Sequence, residues 1–378
     1  MIVKKTFRFR LRPTKCQEET FFQFAGACRF IYNRGLERRS ETWEKEKRSI
    51  TLFDQNKELT ELKHQEDTSW LKTIHSQVLQ QSLDDLDKAF QNFFRRLKNK
   101  EVPGYPKFKC RGDKDSFRYP QGVKLENNQV FLPKIGWVRF RKSRDIHGMH
   151  KQTTVILEGG KWYVCFSCEW EVAVPPFSLP TDALGIDLGL EHFATLATQE
   201  TINEVTNPRF LKQGLTHLRY LSRQLSKKQY KSKNWQKAKA ALQIFAAKIQ
   251  RKRQDFLHKL STHLVESQDA IVVESLKIKE LLMKVPKALA RSISDAGWGK
   301  FLEMLKYKCE YAGKKLIEAS AYFPSTQLCS RCQTKNAIDL STREYRCNCG
   351  LVLHRDHNAA LNLRAAGMTV LKACGAAL

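Results

Sequence analysis

Four cysteines fall within residues 329–349 as two short pairs, Cys329-x2-Cys332 and Cys347-x-Cys349. Each spacing lets two thiolates point at one ion while the chain between the pairs closes as a β loop, which suits tetrahedral zinc. A four-cysteine site has no open position, so its zinc would be structural and would stabilise a segment of about 25 residues that is too short for its own core. Four unrelated buried thiols are the alternative, because the one-residue gap of the second pair is unusually tight.

Three acidic residues stand where a strand end or a helix start would expose a carboxylate. Asp187 interrupts the apolar, glycine-flanked segment 185–189, Glu274 ends the β-branched run 270–273, and Asp356 precedes a helical pattern. Singly, they have ordinary explanations as a turn residue, a solvated strand end and a helix N-cap. Together, two adjacent strands and a helix start can bring three carboxylates to one hard divalent cation site. Two such ions roughly 4 Å apart would activate a water and stabilise the leaving oxygen of a phosphodiester, so we predict metal-dependent hydrolysis of nucleic acid.

A sheet with covering helices must position these acids, and the C-terminal half of the chain carries the required patterns. Residues 184–198 are typical of two strands around a turn near Glu191 and His192, and the run 270–273 is typical of a strand covered on both faces. Apolar spacings of three and four predict helices in the rest of this half. The further predicted elements are helices over 209–268 with a basic break at 227–233, over 295–313 and from about 357, and a strand at 315–320.

The N-terminal half begins with a strand whose residues alternate. Phe7, Phe9 and Leu11 share one face, and Arg8, Arg10 and Arg12 share the other, so we expect the open face to be cationic. Thr14 and Gln17 form a capping box that opens a helical block over 14–100. If the first strand pairs with later strands, this block is an insertion in a small barrel or sandwich. Pro175, Pro176 and Pro180 mark a linker after that β domain. The later predicted strands are 107–110, 116–119, 129–132, 136–141, 152–157 and 161–171.

Composition narrows the class of protein. The 378 residues include 66 Lys and Arg against 39 Asp and Glu, a net charge of +27, which predicts a polyanionic partner. The hydrophobic fraction of 42% is sufficient for folded domains rather than a basic disordered tail. No apolar run is long enough for a membrane span, and no signal-peptide core follows Met1, so we expect no membrane partner and a location in the cytosol or nucleoid. The eleven cysteines are an odd number and are sparse until four of them crowd into residues 329–349, which favours reduced thiols and metal over a secreted disulfide framework.

Short sequence motifs, in order along nearly the whole chain, resemble those of the TnpB proteins of bacterial insertion sequences. TnpB proteins are the compact ancestors of type V CRISPR effectors. The motifs that match the catalytic or zinc-ribbon segments of that family are GIDLG at 185–189, VVESL at 272–276, CSRC at 329–332 and RDHNAALN at 355–362. The remaining motifs that resemble the family lie at residues 32–33, 69–71, 90–94, 104–108, 132–134 and 292–299.

The resemblance implies an RNA-guided DNA endonuclease with a multidomain α+β fold. Asp187, Glu274 and Asp356 match the catalytic, Mg²⁺-binding acids of a RuvC-like RNase H-fold domain, and the four cysteines match its inserted zinc ribbon. Relatives usually have two residues between the second pair of cysteines, so Cys347-x-Cys349 departs from the pattern. The implied domains are a wedge-type β-barrel (1–13 and 103–178), a helical recognition domain (14–102), the nuclease domain (179–323 and 351–378) and the zinc ribbon (324–350).

The implied cofactors are two catalytic Mg²⁺ ions, a structural Zn²⁺ and a guide RNA made from the transposon end, and the implied target is double-stranded DNA bound by a monomeric ribonucleoprotein. In such systems base pairing reads the sequence, while the protein supplies cationic channels. Arg8, Arg10 and Arg12 are candidates for phosphate contacts. Because an amide can pair with adenine through two hydrogen bonds, polar side chains on the predicted helical block are candidates for reading the target-adjacent motif. Those side chains are Ser76, Gln77 and Gln80. The alternatives are a nuclease-inactive RNA-guided repressor, which intact acids disfavour, and a protein that only binds nucleic acid through the ribbon.

Overall fold

A computed structural model describes residues 1–112, 115–173, 180–339 and 342–375. The chain divides into two compact units, Met1–Val172 and Ala173–Leu378. The predicted linker residues Pro175 and Pro176 lie outside the described residues. Within the described part of the chain, no helix is long and apolar enough to cross a membrane.

The first unit contains a seven-stranded antiparallel sheet in the order β2-β6-β7-β1-β5-β4-β3. The predicted alternation of β1 is confirmed, because Phe7, Phe9 and Leu11 are all buried while Arg10 and Arg12 are exposed. Hydrogen bonds among the described residues do not join β2 to β3, so closure into a barrel stays a prediction. The strands are β1 (Ile2–Arg12), β2 (Ser116–Tyr119), β3 (Lys124–Glu126), β4 (Gln129–Leu132), β5 (Gly136–Arg141), β6 (Met149–Glu158) and β7 (Lys161–Glu171).

Helices occupy the predicted block after β1, but as separate elements that end at Lys98. The predicted capping box of Thr14 and Gln17 opens the first helix. Phe21 and Phe24 of that helix pack against Phe117 of β2, so the helices and the sheet share one hydrophobic core. The helices are α1 (Lys15–Glu46), α2 (Leu52–Leu62), a 3-10 helix (Glu66–Thr73) and α3 (Ser76–Lys98).

The predicted strand at 107–110 is wrong. Residues 107–110 belong to no strand, and the backbone of Lys109 bonds to a side chain instead of a sheet. The N–H of Lys109 donates to Oδ1 of Asn33 (2.8 Å), and its carbonyl accepts from Nδ2 of Asn33 (3.0 Å). Because one asparagine of α1 satisfies both polar groups, the segment needs no neighbouring strand.

The second unit contains a mixed five-stranded sheet in the order β10-β9-β8-β11-β12. β11 lies parallel to both β8 and β12, and the remaining pairs are antiparallel. The two-stranded sheet β13-β14 belongs to the cysteine-rich segment. The strands are β8 (Leu184–Leu188), β9 (His192–Ala197), β10 (Ile202–Thr206), β11 (Ala270–Glu274), β12 (Lys315–Ala319), β13 (Glu344–Arg346) and β14 (Val352–His354).

The predicted helical regions of this unit are confirmed with two changes of boundary. Gly297 adopts a φ of 75° and divides the predicted helix at 295–313 into two. The last helix starts at Arg355, so Asp356 lies in its first turn. The helices are α4 (Phe210–Ser226), α5 (Lys233–Ser267), α6 (Ile278–Lys284), α7 (Lys287–Ala296), α8 (Trp298–Ala312) and α9 (Arg355–Gly375).

Candidate functional site

Asp187 and Glu274 lie at the carboxyl ends of neighbouring parallel strands. Ile186 of β8 is the register partner of Val273 of β11, and the two acids are the residues that follow them. The four residues of β11 before Glu274 are apolar and buried, as expected of a strand covered on both faces. The sheet therefore brings together two acids that are 87 positions apart in the sequence.

Helix α9 carries the third acid to this edge of the sheet. Gly185 of β8 faces the backbone of Ala360 so closely that a Cβ at position 185 would lie 2.1 Å from the Ala360 carbonyl oxygen. A Cβ placed on Gly189 would lie 4.0 Å from Oδ2 of Asp356, which is itself 8% exposed. Gly185 thus admits the helix, as the close-approach interpretation of the segment predicts, whereas a Cβ on Gly189 would first meet the carbonyl oxygen of His192 at 2.9 Å.

The electrostatics of Asp187 show that the three carboxylates share one neighbourhood. Burial, and then repulsion from Asp356 and Glu274, raise the pKa of Asp187 from its ordinary value of 3.8 to about 7. Burial also raises the pKa of Glu274. Such crowding of acids is unfavourable in the metal-free protein and is typical of a site that binds a cation.

Two arginines partly neutralise the acids. Nε of Arg355 lies 3.4 Å from Oδ1 of Asp356, and the Arg355 charge also opposes the rise in the pKa of Asp187. Nη1 of Arg343 lies 3.9 Å from Oδ2 of Asp356, and its Nη2 lies 3.5 Å from Glu191. A divalent cation at the carboxylates would compete with these guanidinium groups for the same oxygens.

The four cysteines of the sequence analysis converge, so the alternative of four unrelated thiols is wrong. Their sulfur atoms all lie within 4.8 Å of one another, with Cys329 and Cys349 3.6 Å apart and Cys332 and Cys347 3.5 Å apart. A tetrahedral zinc with bonds of about 2.3 Å needs sulfurs at about this separation. Hydrogen bonds from Thr334 lower the pKa of Cys332 to about 6, which favours the thiolate that a metal requires.

The one-residue gap of the second pair is accommodated by a tight turn. The N–H of Gly350 donates to the carbonyl of Cys347 (2.9 Å), and the N–H of Cys347 donates to Leu351 (2.9 Å). Gly350 has a φ of 83°, which glycine adopts without the strain that a side chain would cause. The departure from the usual two-residue gap is therefore compatible with convergence of the sulfurs.

Two asparagines of α9 anchor the first cysteine pair, a role that the sequence analysis missed. Asn358 accepts the N–H of Ser330 (2.9 Å) and donates to the carbonyl of Leu328 (2.6 Å). Asn362 donates to the same carbonyl (2.7 Å) and to that of Ser325 (2.8 Å). Both asparagines are almost fully buried, so α9 fixes the cysteine loop on one side and Asp356 on the other. Their spacing of four within RDHNAALN was the available signal.

The arginines of β1 do not share one environment. Arg8 pairs with Glu158 (2.8 Å) and lies over the ring of Tyr163 (4.1 Å), whereas Arg10 and Arg12 are exposed. The exposed pair gains two partners that the sequence analysis missed, since Arg10 lies opposite Arg141 and Arg12 opposite Arg139 in the register with β5. Like charges directly opposite each other destabilise a sheet, so this four-arginine ridge is typical of a surface that binds a polyanion.

The three residues expected to read a target-adjacent motif lie in the first turns of α3. Oγ of Ser76 accepts a hydrogen bond from Nζ of Lys63 (2.9 Å). Gln77 is half-buried and Gln80 is exposed. A base-reading role for these side chains stays a prediction.

Three family models match segments of the chain. The OrfB_IS605 model, with the description "Probable transposase", matches residues 165–284, and a model described as "Cas12f1-like, TNB domain" matches residues 298–363. A model described as "Helix-turn-helix domain" matches residues 1–48, which in this chain form β1 and α1. The first two matches contain all three acids and all four cysteines.

Similar proteins extend over almost the full chain. InsQ of Escherichia coli (strain K12), whose name describes an RNA-guided DNA endonuclease, is 39% identical over 98% of this chain and 94% of its own length. A protein of Streptomyces pristinaespiralis with the same description is 36% identical over 99% of this chain and 91% of its own. Among solved structures, the chain of a Cas12f1–sgRNA–target DNA complex superposes with a TM-score of 0.55 at 13% identity, over 96% of this chain and 99% of that one. That likeness shows a Cas12f-like α+β fold.

Proposed function

The chain belongs to the TnpB family, and from that premise we propose that it is an RNA-guided DNA endonuclease of an insertion sequence, with Asp187, Glu274 and Asp356 as its catalytic acids. The observation that carries the proposal is the parallel register of β8 and β11, which supports a shared position for Asp187 and Glu274 at one edge of the sheet, with Asp356 on the helix that packs against Gly185. The rise in the pKa of Asp187, caused partly by the other two acids, agrees with this arrangement. The +27 charge suits the two polyanions that such a protein handles.

The donor set fits hard divalent cations, because carboxylate oxygens are the preferred ligands of Mg²⁺. Asp187, Glu274 and Asp356 would hold two Mg²⁺ ions, which when bound activate a water and stabilise the leaving oxygen of a phosphodiester. Asp187 must give up the proton that its raised pKa retains near neutrality. Arg355 and Arg343 partly balance the charge of Asp356, and a bound cation would take over part of that role.

We assign the second unit to a RuvC-like RNase H-fold nuclease domain (179–323 and 351–378) with a zinc ribbon inserted at 324–350. The mixed sheet, whose parallel strands β8 and β11 carry the first two acids, supports the nuclease assignment. The four converging sulfurs fit one structural zinc. Because Asn358 and Asn362 bond to the ribbon, zinc there would help to hold the helix that carries Asp356.

In the first unit we assign residues 1–13 and 103–178 to a wedge-type domain and 14–102 to recognition helices. The partners would be a guide RNA from the transposon end and a double-stranded DNA target, in a monomeric ribonucleoprotein. The exposed ridge of Arg10, Arg12, Arg139 and Arg141 supports a phosphate-binding role for this unit.

The deciding experiment compares wild type with Asp187→Ala and Asp356→Ala, each loaded with the RNA that co-purifies with the protein. We expect the variants to bind a matched DNA target like wild type and to lose cleavage in Mg²⁺ by at least about 10²-fold, since loss of one preorganised electrostatic contact in a catalytic site costs about 10²–10³-fold. Asp255→Asn, which removes an exposed carboxylate on α5, is the matched control and should cleave normally. Cleavage that survives in both alanine variants would refute the assignment, and binding without any cleavage by wild type would identify the RNA-guided repressor instead.

A further inference from the structure

A second cluster of potential metal ligands lies beside the carboxylate centre and has no role in the proposed function. Glu204 of β10, His354 at the end of β14 and His357 of α9 place one ligand atom each within 4.8 Å of the others. His192, at the start of β9, lies 3.4 Å from Oε2 of Glu204. Three of the ten histidines in the chain thus surround one carboxylate.

The contacts within the cluster leave its ligand atoms facing one another. Nε2 of His357 lies 2.7 Å from Oε1 of Glu204, and the rings of His354 and His357 have centroids 5.2 Å apart. Side-chain exposures of 35% for Glu204, 32% for His192 and 26% for His357 leave a path from solvent. An ion at this position would take the place of the hydrogen bond between Nε2 of His357 and Oε1 of Glu204.

We infer that Glu204, His354 and His357, with His192 as a neighbouring donor, form a binding site for a first-row transition-metal ion such as zinc, separate from the four cysteines and from the three acids. Imidazole nitrogens with one carboxylate are the donor set of zinc and related ions, whereas Mg²⁺ prefers oxygen ligands alone. A set of two imidazoles and one carboxylate leaves a coordination position open to water, unlike the closed four-cysteine site.

The position of the cluster gives such an ion a structural consequence. Glu204 belongs to the edge strand of the five-stranded sheet, and His357 follows Asp356 in the first turn of α9. Nδ1 of His354 accepts a long hydrogen bond, 3.3 Å, from the backbone N–H of Asp356. An ion would therefore connect the sheet edge to the segment that carries the third acid.

The test uses the full chain and Co²⁺ as the probe, because thiolate and imidazole ligands give cobalt different visible spectra. We expect wild type to bind one Co²⁺ with weak d–d bands and no thiolate-to-cobalt charge transfer, in addition to any ion held by the cysteines. Glu204→Gln and His357→Gln should each weaken this binding by at least about tenfold, since loss of a supporting contact alone costs that much. His263→Gln, an exposed histidine on α5, is the matched control.

Circular dichroism and melting temperature establish that each variant is folded. Equal Co²⁺ affinity in wild type, Glu204→Gln and His357→Gln would overturn the inference, as would a wild-type spectrum that contains only thiolate bands. Zinc content, measured on the same proteins after dialysis against dilute Zn²⁺, should fall by one ion per chain in the two cluster variants and not in the control. None of these readouts requires guide RNA or cleavage, so the proposed function can fail while this site stands.

Discussion

The backbone of Gly185 lies against the carbonyl oxygen of Ala360, with no space for a side chain between them. This contact fixes helix α9 on strand β8. Asp187 lies two residues beyond Gly185, and Asp356 lies one helical turn before Ala360. The distance between two of the proposed catalytic acids therefore depends on the absence of one Cβ.

Gly185→Ala should destabilise the protein and reduce guided cleavage together. The new Cβ would lie 2.1 Å from the Ala360 oxygen, so α9 must move away from β8 and take Asp356 with it. Overpacking of this kind costs about 1–3 kcal/mol of unfolding free energy. Thermal unfolding and the cleavage rate measure the two effects. Gly26→Ala is the control, because its Cβ would meet only a flexible arginine at 3.7 Å; wild-type behaviour of Gly185→Ala would contradict the packing argument.

Guided cleavage should depend on pH through Asp187. Because the pKa of this carboxyl is about 7 in the metal-free protein, protons compete with Mg²⁺ at and below neutrality. At limiting Mg²⁺ the single-turnover rate should rise with pH through about 7, and a tenfold increase in Mg²⁺ should move the midpoint to lower pH. A midpoint that ignores Mg²⁺ would exclude Asp187 as the titrating ligand.

The raised pKa of Asp187 also predicts how the free energy of unfolding varies with pH. The folded state holds the Asp187 proton between pH 3.8 and about 7, a window in which the unfolded state releases it, so the free energy of unfolding should fall as pH rises through that window. Asp187→Asn removes the buried charge and should raise the melting temperature of the metal-free protein at pH 8. Chemical denaturation at pH 5 and pH 8 measures both effects, and an unchanged pH dependence in the variant would contradict this account.

Replacement of one cysteine should remove one zinc per chain. In Cys332→Ser the site loses the sulfur whose pKa is lowered to about 6, and the ribbon should become sensitive to limited proteolysis because so short a segment has no hydrophobic core of its own. Elemental analysis and proteolysis of the intact chain give the readouts. Cys110→Ser, an exposed cysteine outside the cluster, is the matched control. Full zinc content in Cys332→Ser would show that the four sulfurs are not the ligands.

The arginine ridge should bind phosphates of the nucleic acid partner. For the double variant Arg139→Gln with Arg141→Gln, we expect weaker binding of the co-purifying RNA. The slope of the logarithm of the association constant against the logarithm of the salt concentration should become shallower by about 0.7–0.9 for each lost phosphate contact. Fluorescence anisotropy at several salt concentrations measures the slope. Lys45→Gln with Arg48→Gln removes the same charge from cations that already pair with Glu41 and Glu46, and should leave the slope unchanged. Equal slopes for the two double variants would argue against the ridge.

Local patterns in the sequence predicted many of the elements. The alternation around Phe7 and Phe9, the capping box at Thr14 and the β-branched run before Glu274 are each confirmed, because strand and helix periodicities depend on neighbouring residues. The prediction of a strand at 107–110 failed because a residue distant in the sequence decides the structure of that segment. Its apolar and basic residues fit a strand, but the side chain of Asn33, 76 positions away, takes its hydrogen bonds.

The same distinction between local pattern and distant contact applies to the candidate site. By itself, the sequence determined the cationic charge, the four cysteines, the three acids and the family motifs that contain them, since residue types and short spacings are local properties. Only the tertiary structure placed Arg10 opposite Arg141, turned Asn358 towards the cysteine loop and brought His357 to Glu204, 153 positions away. Those contacts follow from strand register and from the packing of α9 on the sheet, which are decided by burial over the whole fold and leave no periodic signal in the chain.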